Sequence, residues 1–313
     1  MKDKVFLVTG GAGAIGSTLT NYLTKKDYST IVIDNLSSGD LSNINESKNL
    51  IFYKGNISDE RILEKIFLNH KIDYVFHLAA HFANQNSIDH PKDDLNTNGL
   101  GTLNLLEFSF KNNIKSFLYT STSCIQGNLD KKAPDNYIGN LDTPYAINKL
   151  LGEFYVKFYA DHFNFNCNTV RLFNVYGPGE VPGKYRNVIP NFFQKAINNE
   201  PLIITGTGQE TRSYTYVDEV VDAFMKLIIK ENFKGHIINI GSDKETKILD
   251  LANLINKITG NNKPHVFFPK RSWDNITNRK ANIDLAKKLI GFNPKKDLEE
   301  GLSTTYQWIL NKL

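Results

Sequence analysis

An α/β fold on a doubly wound parallel sheet is the class this sequence predicts, and three observations predict it. Short β-rich runs alternate with helix-length patterns through the first half of the chain, a glycine-punctuated turn follows the first run, and an acid closes the second. The runs are residues 4–9, 30–34, 50–54, 73–78, 116–121 and 168–172. Residues 14–26, 60–69, 96–111 and 144–163 have the length and apolar spacing of covering helices. In such a sheet, sites belong at the carboxyl ends of the strands.

After about residue 173 the pattern breaks into loops marked by Gly177, Pro178, Gly179, Pro182 and Gly183, then short elements separated by Gly206, Gly208, Gly241 and Pro264. No flexible linker or shift in composition intervenes. The expected organisation is a sheet-bearing domain over residues 1–172 and a smaller C-terminal α/β lobe over 173–313.

Composition narrows the partners. A chain of 313 residues with 41% hydrophobic content can bury a substantial core. A formal net charge of +4, with lysines scattered, gives no footprint for nucleic acid or a membrane surface. Cys124 and Cys167 are too few for a disulfide scaffold, and the histidines, His77 and His81 among them, show no metal-ligand spacing, so no metal is expected. The first residues lack a secretory pattern, and no apolar run approaches a membrane span of about 20 residues. A cytoplasmic location is expected.

Gly10, Gly13 and Gly16 form a G-x-x-G-x-x-G turn between an apolar strand and a helix. Glycines at this spacing permit the tight turn and let backbone N–H groups approach a pyrophosphate at the helix N-terminus. Asp34 ends the second strand where a dinucleotide fold places the acid that binds the adenosine ribose. A carboxylate there repels a 2′-phosphate, and Asn35-Leu36-Ser37-Ser38-Gly39 offers no Arg or Lys, so NAD is favoured over NADP. The fold is therefore read as a Rossmann-type doubly wound parallel sheet.

With these features the chain resembles the extended short-chain dehydrogenase/reductase family, and within it the NAD-dependent nucleotide-sugar epimerases and dehydratases. The family's adenine-binding Asp-Ile or Asp-Val pair is matched by Asn56-Ile57, a departure at Asn56 whose amide oxygen can still accept a hydrogen bond. Its His-Leu-Ala-Ala segment is matched by His77-Leu78-Ala79-Ala80, and its Asn-x-x-Gly-Thr segment by Asn98 to Thr102. The resemblance thus implies NAD contacts from Gly10, Gly13, Ala14, Ile15 and Gly16 in the loop, and from Asp34, Asn35, Ser37 and Gly39 beyond the second strand. It implies further contacts from Asn56, Ile57, Leu78, Ala79, Ala80, Asn98, Tyr145, Lys149 and Phe173.

Tyr145 and Lys149 stand one helical turn apart, on one face. A phenol with a pKa of about 10 is a poor base at neutral pH, and a neighbouring ammonium favours its anion. Tyr22 and Lys26 have the same spacing and read as a surface coincidence. In the resembled family a Ser or Thr at the preceding strand end shares the substrate hydroxyl with the Tyr; counting back from Gly127, that residue is Thr122. Ile125-Gln126-Gly127 replaces the usual Val-Tyr-Gly, so Gln126 departs from the pattern.

The resemblance also implies a substrate half. Arg171 to Pro178 matches Arg-x-Phe-Asn-x-Tyr-Gly-Pro, whose Asn, here Asn174, contacts the substrate diphosphate. Gly206 to Asp218 matches a segment whose Arg, here Arg212, binds phosphate, and Arg271-Ser272-Trp273-Asp274 keeps the Arg and Asp of Arg-x-Gly-Asp with Trp273 in place of Gly. Substrate contacts are expected at Thr122, Tyr145, Asn174, Val188, Arg212, Arg271 and Asp274.

Family dehydratases carry an Asp-Glu pair directly after the Thr, and uronate decarboxylases a Glu two residues after it; here Ser123 and Cys124 stand there. C4 epimerisation of a UDP-hexose through a 4-keto sugar is the leading expectation. A decarboxylase, 4,6-dehydratase or 4-ketoreductase stays open, as does a non-catalytic NAD-sensing protein. Leu150, Leu151, Phe154, Tyr155, Phe158 and Tyr159 make an apolar sector broad for one surface helix. With the resemblance, it gives an expected homodimer.

Overall fold

The structure is a computed structural model, and it describes residues 3–129, 133–230 and 233–312. Seven strands form the central sheet: β1 Val5–Thr9, β2 Ser29–Asp34, β3 Leu50–Lys54, β4 Tyr74–His77, β5 Ser116–Thr122, β6 Cys167–Leu172 and β7 Ile237–Ile240. Their order is β7-β6-β5-β4-β1-β2-β3. β1 pairs in parallel with both β2 and β4, β2 with β3, and β4 with β5. This is the Rossmann arrangement, and six of its strands lie where the alternation of the sequence places them. β7 does not: the sheet takes a strand from far along the chain, where Ile237-Ile238-Asn239-Ile240 is too short to stand out.

The chain leaves β1 for β2 and β3 on one side and continues through β4, β5 and β6 on the other. The carboxyl ends of β1 and β4 therefore flank the point where the winding reverses, the place where such sheets bind ligands.

The chain divides into two compact units. The first comprises Met1–Thr122, Thr143–Arg171 and Val221–Ile238, and the second Ser123–Asp142, Leu172–Val220 and Asn239–Leu313. In the first, helices α1 Ala14–Lys25, α2 Glu60–Asn69, α3 Thr102–Lys111 and α4 Pro144–Phe163 cover the sheet. Leu7, Ile31, Ile33, Val75, Phe117 and Tyr119 from the strands meet Leu63, Ile66, Leu105 and Val156 from the helices in one core. Residues 96–101, expected as part of a regular helix, instead lie in a wider π-helical turn, Leu95–Gly101, that runs into α3. Gly101 within it faces Ile57, whose Cγ1 a Cβ would approach to 2.7 Å.

Helix α4 begins at Thr143, whose hydroxyl caps the Ala146 N–H at 3.3 Å, and Pro144 takes the first helical position. It ends at Asn164 in the left-handed conformation. Its inner face lies close on β5: a Cβ at Gly152 would come within 2.3 Å of the Tyr119 hydroxyl oxygen, and that hydroxyl donates to the Lys149 carbonyl at 3.2 Å. One turn further on, Glu153 accepts from Arg171 at 2.8 Å through both carboxylate oxygens and from Ser121 at 2.5 Å.

In the second unit, helices Val188–Ile197, Ile248–Thr259 and Leu298–Leu310 gather round Phe193, Leu251, Ile255, Leu302 and Ile309. A small sheet stands in the same unit, in the order Thr246–Lys247, Thr211–Arg212, Asn278–Arg279. Thr246 and Arg279 are both register partners of Arg212.

The Arg171 and Glu153 side chains are 0% and 1% exposed. Removing one partner of such a pair strands the other charge away from water. Glu153→Ala should cost about 3–5 kcal/mol, read as a lower midpoint in urea unfolding; a loss under about 1 kcal/mol would contradict the pairing.

Candidate active site

The glycine loop is shaped by what lies beneath it. Gly10 takes φ +68°, and a Cβ there would lie 2.7 Å from the Ala79 nitrogen; a Cβ at Gly16 would lie 2.0 Å from the Gly10 carbonyl oxygen. Packing alone therefore dictates those two glycines. Gly13 differs: a Cβ there would meet a single protein atom, the Gly10 oxygen at 3.2 Å. The space above it is open for a ligand. Gly13 also caps α1 without any side-chain hydrogen bond, and the first turn of α1 holds no acid, so the helix N-terminus keeps its donors and partial positive charge for an anion.

Asp34 accepts from the Ala12 N–H at 2.9 Å and from the Leu36 N–H at 2.8 Å. It thereby joins the end of β2 to the glycine loop, with lone pairs left for ribose hydroxyls. Asn35 and Ser37 are exposed, the Asn35 amide accepting from the Ser37 N–H at 3.0 Å, and a Cβ at Gly39 would press to 2.9 Å on Ala12. Ala14, Ile15, Leu78, Ala79 and Ala80 are half-buried around the same strand ends. The Asn56 amide oxygen accepts from the Ser58 N–H at 3.1 Å, which leaves it one acceptor position, and Ile57 is buried. Asn98 accepts from the His81 N–H at 3.0 Å and donates to Asp94 at 2.9 Å, so it holds the segment that follows β4. The loop and the acid fit NAD.

At the end of β5, Thr122 is buried, as are Tyr145 and Lys149 on α4. The Lys149 ammonium donates to the Thr120 carbonyl at 2.8 Å and lies 4.9 Å from the Tyr119 ring centroid. Burial draws its pKa down from 10.5 to about 8, against the pull of the Asp94 and Glu153 carboxylates. The phenol ring of Tyr145 meets Phe82 edge-on at 6.1 Å. Tyr22 and Lys26, with the same spacing, are exposed.

His77 is fully buried between the Thr9 and Thr102 hydroxyls at 2.8 and 2.9 Å. Burial, then the Lys149 ammonium, pulls its pKa well down, so it stays a neutral bridge between β1 and α3. Among the described residues no group of His, Cys, Asp or Glu could hold a metal ion.

In the second unit, Asn174 adopts φ +34° and donates to the Ser213 carbonyl at 3.0 Å. Phe173 is fully buried. Val188 opens a helix whose preceding residue, Asn187, is held through its backbone and side-chain N–H groups by Glu180 at 3.0 Å each. Arg212 donates to the carbonyls of Thr211 at 2.8 Å and Ile276 at 3.1 Å, and stands 3.6 Å from Asp274. Arg271 is exposed, its guanidinium 5.6 Å from the Trp273 ring centroid. Arg279, which the sequence reading did not single out, is the buried neighbour of Arg212. Only the register of two two-residue strands brings them together, and nothing in the sequence announces it. Gln126 is buried; its amide N–H donates at 3.4 Å to the Pro134 carbonyl, while its amide oxygen finds no partner among the described residues.

Because its folded pKa lies below its unfolded one, Lys149 makes the unfolded chain hold more protons between pH 8 and 10.5. Stability contributed there rises with pH. From pH 7 to 9.5 the wild-type chain should gain roughly 2 kcal/mol relative to Lys149→Met in urea-unfolding free energy. Parallel pH profiles for the two proteins would contradict a buried ammonium.

Residues 6–241 match the NAD dependent epimerase/dehydratase family. The chain is similar in structure to an epimerase from Methanothermobacter thermautotrophicus, with a TM-score of 0.96 and 44% identity over 99% of this chain and 93% of that one. It is likewise similar to UDP-glucose 4-epimerase of Thermotoga maritima, solved with UDP-glucose, with a TM-score of 0.93 and 36% identity over 98% of this chain and 99% of that one. A UDP-N-acetyl-alpha-D-glucosaminuronate decarboxylase of Bacillus cytotoxicus is 33% identical over 96% of both chains. With the glycine loop, Asp34 and the Thr122, Tyr145 and Lys149 set in place, this chain belongs to the NAD-dependent epimerase/dehydratase family of nucleotide-sugar enzymes.

Proposed function

We propose that this protein is a C4 epimerase of a UDP-hexose, working through a 4-keto sugar. The observation that carries the reading is the absence of a carboxylate after Thr122: buried Ser123 and half-buried Cys124 occupy the positions from which relatives of other chemistry move a C5 proton or assist decarboxylation. A neutral hydroxyl and a thiol make poor substitutes for that work. The similarity to UDP-glucose 4-epimerases supports the same choice.

NAD would be held by the glycine loop, the α1 N-terminus and Asp34, and when bound it supplies the acceptance and return of a hydride at a secondary alcohol carbon. The protein's own residues do the rest. Tyr145, as phenolate, takes the proton of the sugar hydroxyl and gives it back; Thr122 holds that hydroxyl in line. Lys149 favours the phenolate by its charge, and its bond to the Thr120 carbonyl fixes where the charge sits. In the second unit, Asn174 and Arg212 are proposed to hold the diphosphate.

The expected outcome is NMR-detected interconversion of one UDP-hexose pair by purified protein without added cofactor. UDP-glucose, UDP-galactose, their N-acetylamino forms and UDP-glucuronate are to be incubated separately. Tyr145→Phe should retain NAD yet lose at least about 100-fold in rate. Carbon dioxide release, a stable keto product, or no conversion of any UDP-hexose with NAD bound would reject the assignment.

We further propose a homodimer built on α4. Ile147, Phe154 and Phe158 are 50%, 57% and 49% exposed and fall at helical spacing along its outer face, beside Leu95 and Leu100 at 51% and 45%. Such a contiguous apolar face suits a second copy of the same helix. Sedimentation should show a dimer, and Phe154→Asp with Phe158→Asp a monomer; a wild-type monomer would reject it.

A further inference from the structure

The small sheet of the second unit sets two arginines against each other. Arg212 and Arg279 are register partners on adjacent parallel strands, so their side chains leave the same face from backbones roughly 4.8 Å apart. Thr211 and Asn278, the preceding pair, point to the opposite face, where the Thr211 hydroxyl meets both Asn278 and Glu245. Like charges directly opposite on a sheet repel.

Burial sharpens the repulsion. Arg279 is 7% exposed and the Arg212 side chain 15%. The carboxylate beside the pair is Asp274, at 3.6 Å from Arg212, too long for a forked hydrogen bond. Arg279 finds neutral, distant acceptors among the described residues: the Gly127 carbonyl at 3.4 Å and the Cys124 sulfur at 3.5 Å. A guanidinium has five N–H donors. Among the described residues a buried and a partly buried guanidinium face one carboxylate, which leaves a positive charge uncompensated, a costly state that an anionic ligand relieves. Arg271 offers no comparable environment, since it is exposed and lies over the Trp273 ring.

We propose that Arg279 is a substrate-binding residue that takes, with Arg212, the diphosphate of a nucleoside diphosphate ligand, in place of Arg271. The assignment rests on the nucleotide-sugar reading above. It gives the clamp two planar guanidinium groups side by side, one for each phosphate, and ties them through Gly127 and Cys124 to the turn that follows the catalytic strand end.

The test is calorimetric binding of UDP, dTDP and uridine to the protein as purified, in wild type, Arg279→Gln, Arg279→Lys and Arg271→Gln, with melting temperatures as a control for folding. Arg279→Gln should weaken UDP or dTDP binding by about tenfold or more and leave uridine binding unchanged. Arg279→Lys should fall between, and Arg271→Gln should stay within about twofold of wild type. Equal losses for uridine and the diphosphate in Arg279→Gln would mean that Arg279 merely supports the fold, and a tenfold loss in Arg271→Gln would return the clamp to that residue. Either result overturns the proposal. If wild type binds a diphosphate and Arg279→Gln binds it equally well, this inference alone fails; if wild type binds neither diphosphate, the nucleotide-sugar reading fails with it.

Discussion

A lysine ammonium carried out of water is the constraint round which the first unit is arranged. Lys149 is 2% exposed, and a charge so placed is tolerable only if its surroundings substitute for solvent. The Thr120 carbonyl and the Tyr119 ring face do so directly. The Asp94 and Glu153 carboxylates do so at longer range, and each brings partners of its own: Asn98 and Asn148 bond Asp94, while Arg171 and Ser121 bond Glu153. One buried charge thus gathers a network of polar side chains around it. A half-finished network of this kind would be worse than an apolar core.

The glycine loop solves the opposite problem. There the protein supplies positive potential from backbone alone, at a helix end with no capping side chain and no acid in its first turn. Asp34 keeps that arrangement in shape by bonding Ala12 and Leu36, so the acid expected to read a ribose also holds the shape of the glycine loop.

What the sequence disclosed follows from how local each signal is. Six strands, α1, α2 and α4 were legible because a few contiguous residues carry each pattern; the glycine loop, Asp34 and the Tyr145 and Lys149 pair were legible for the same reason. β7 was not, since four residues distant in the chain gain their strand identity from β6. The π-helical turn at Leu95–Gly101 keeps helical periodicity closely enough to pass as regular helix. The pairing of Arg279 with Arg212 was not legible, because it lies in the register of two short strands far apart in the chain.

Gly152 shows how α4 is kept from drifting. With no side chain at that position the helix backbone rests on the Tyr119 hydroxyl, which in turn bonds the Lys149 carbonyl. Tyr119 therefore acts as a stop in both directions along the helix axis: a slide by one residue would drive a Cβ into the hydroxyl and break its bond together. The contact sets the register of α4 against β5. Sequence drift on its outer face can change what the helix touches outside without moving the groups it presents within.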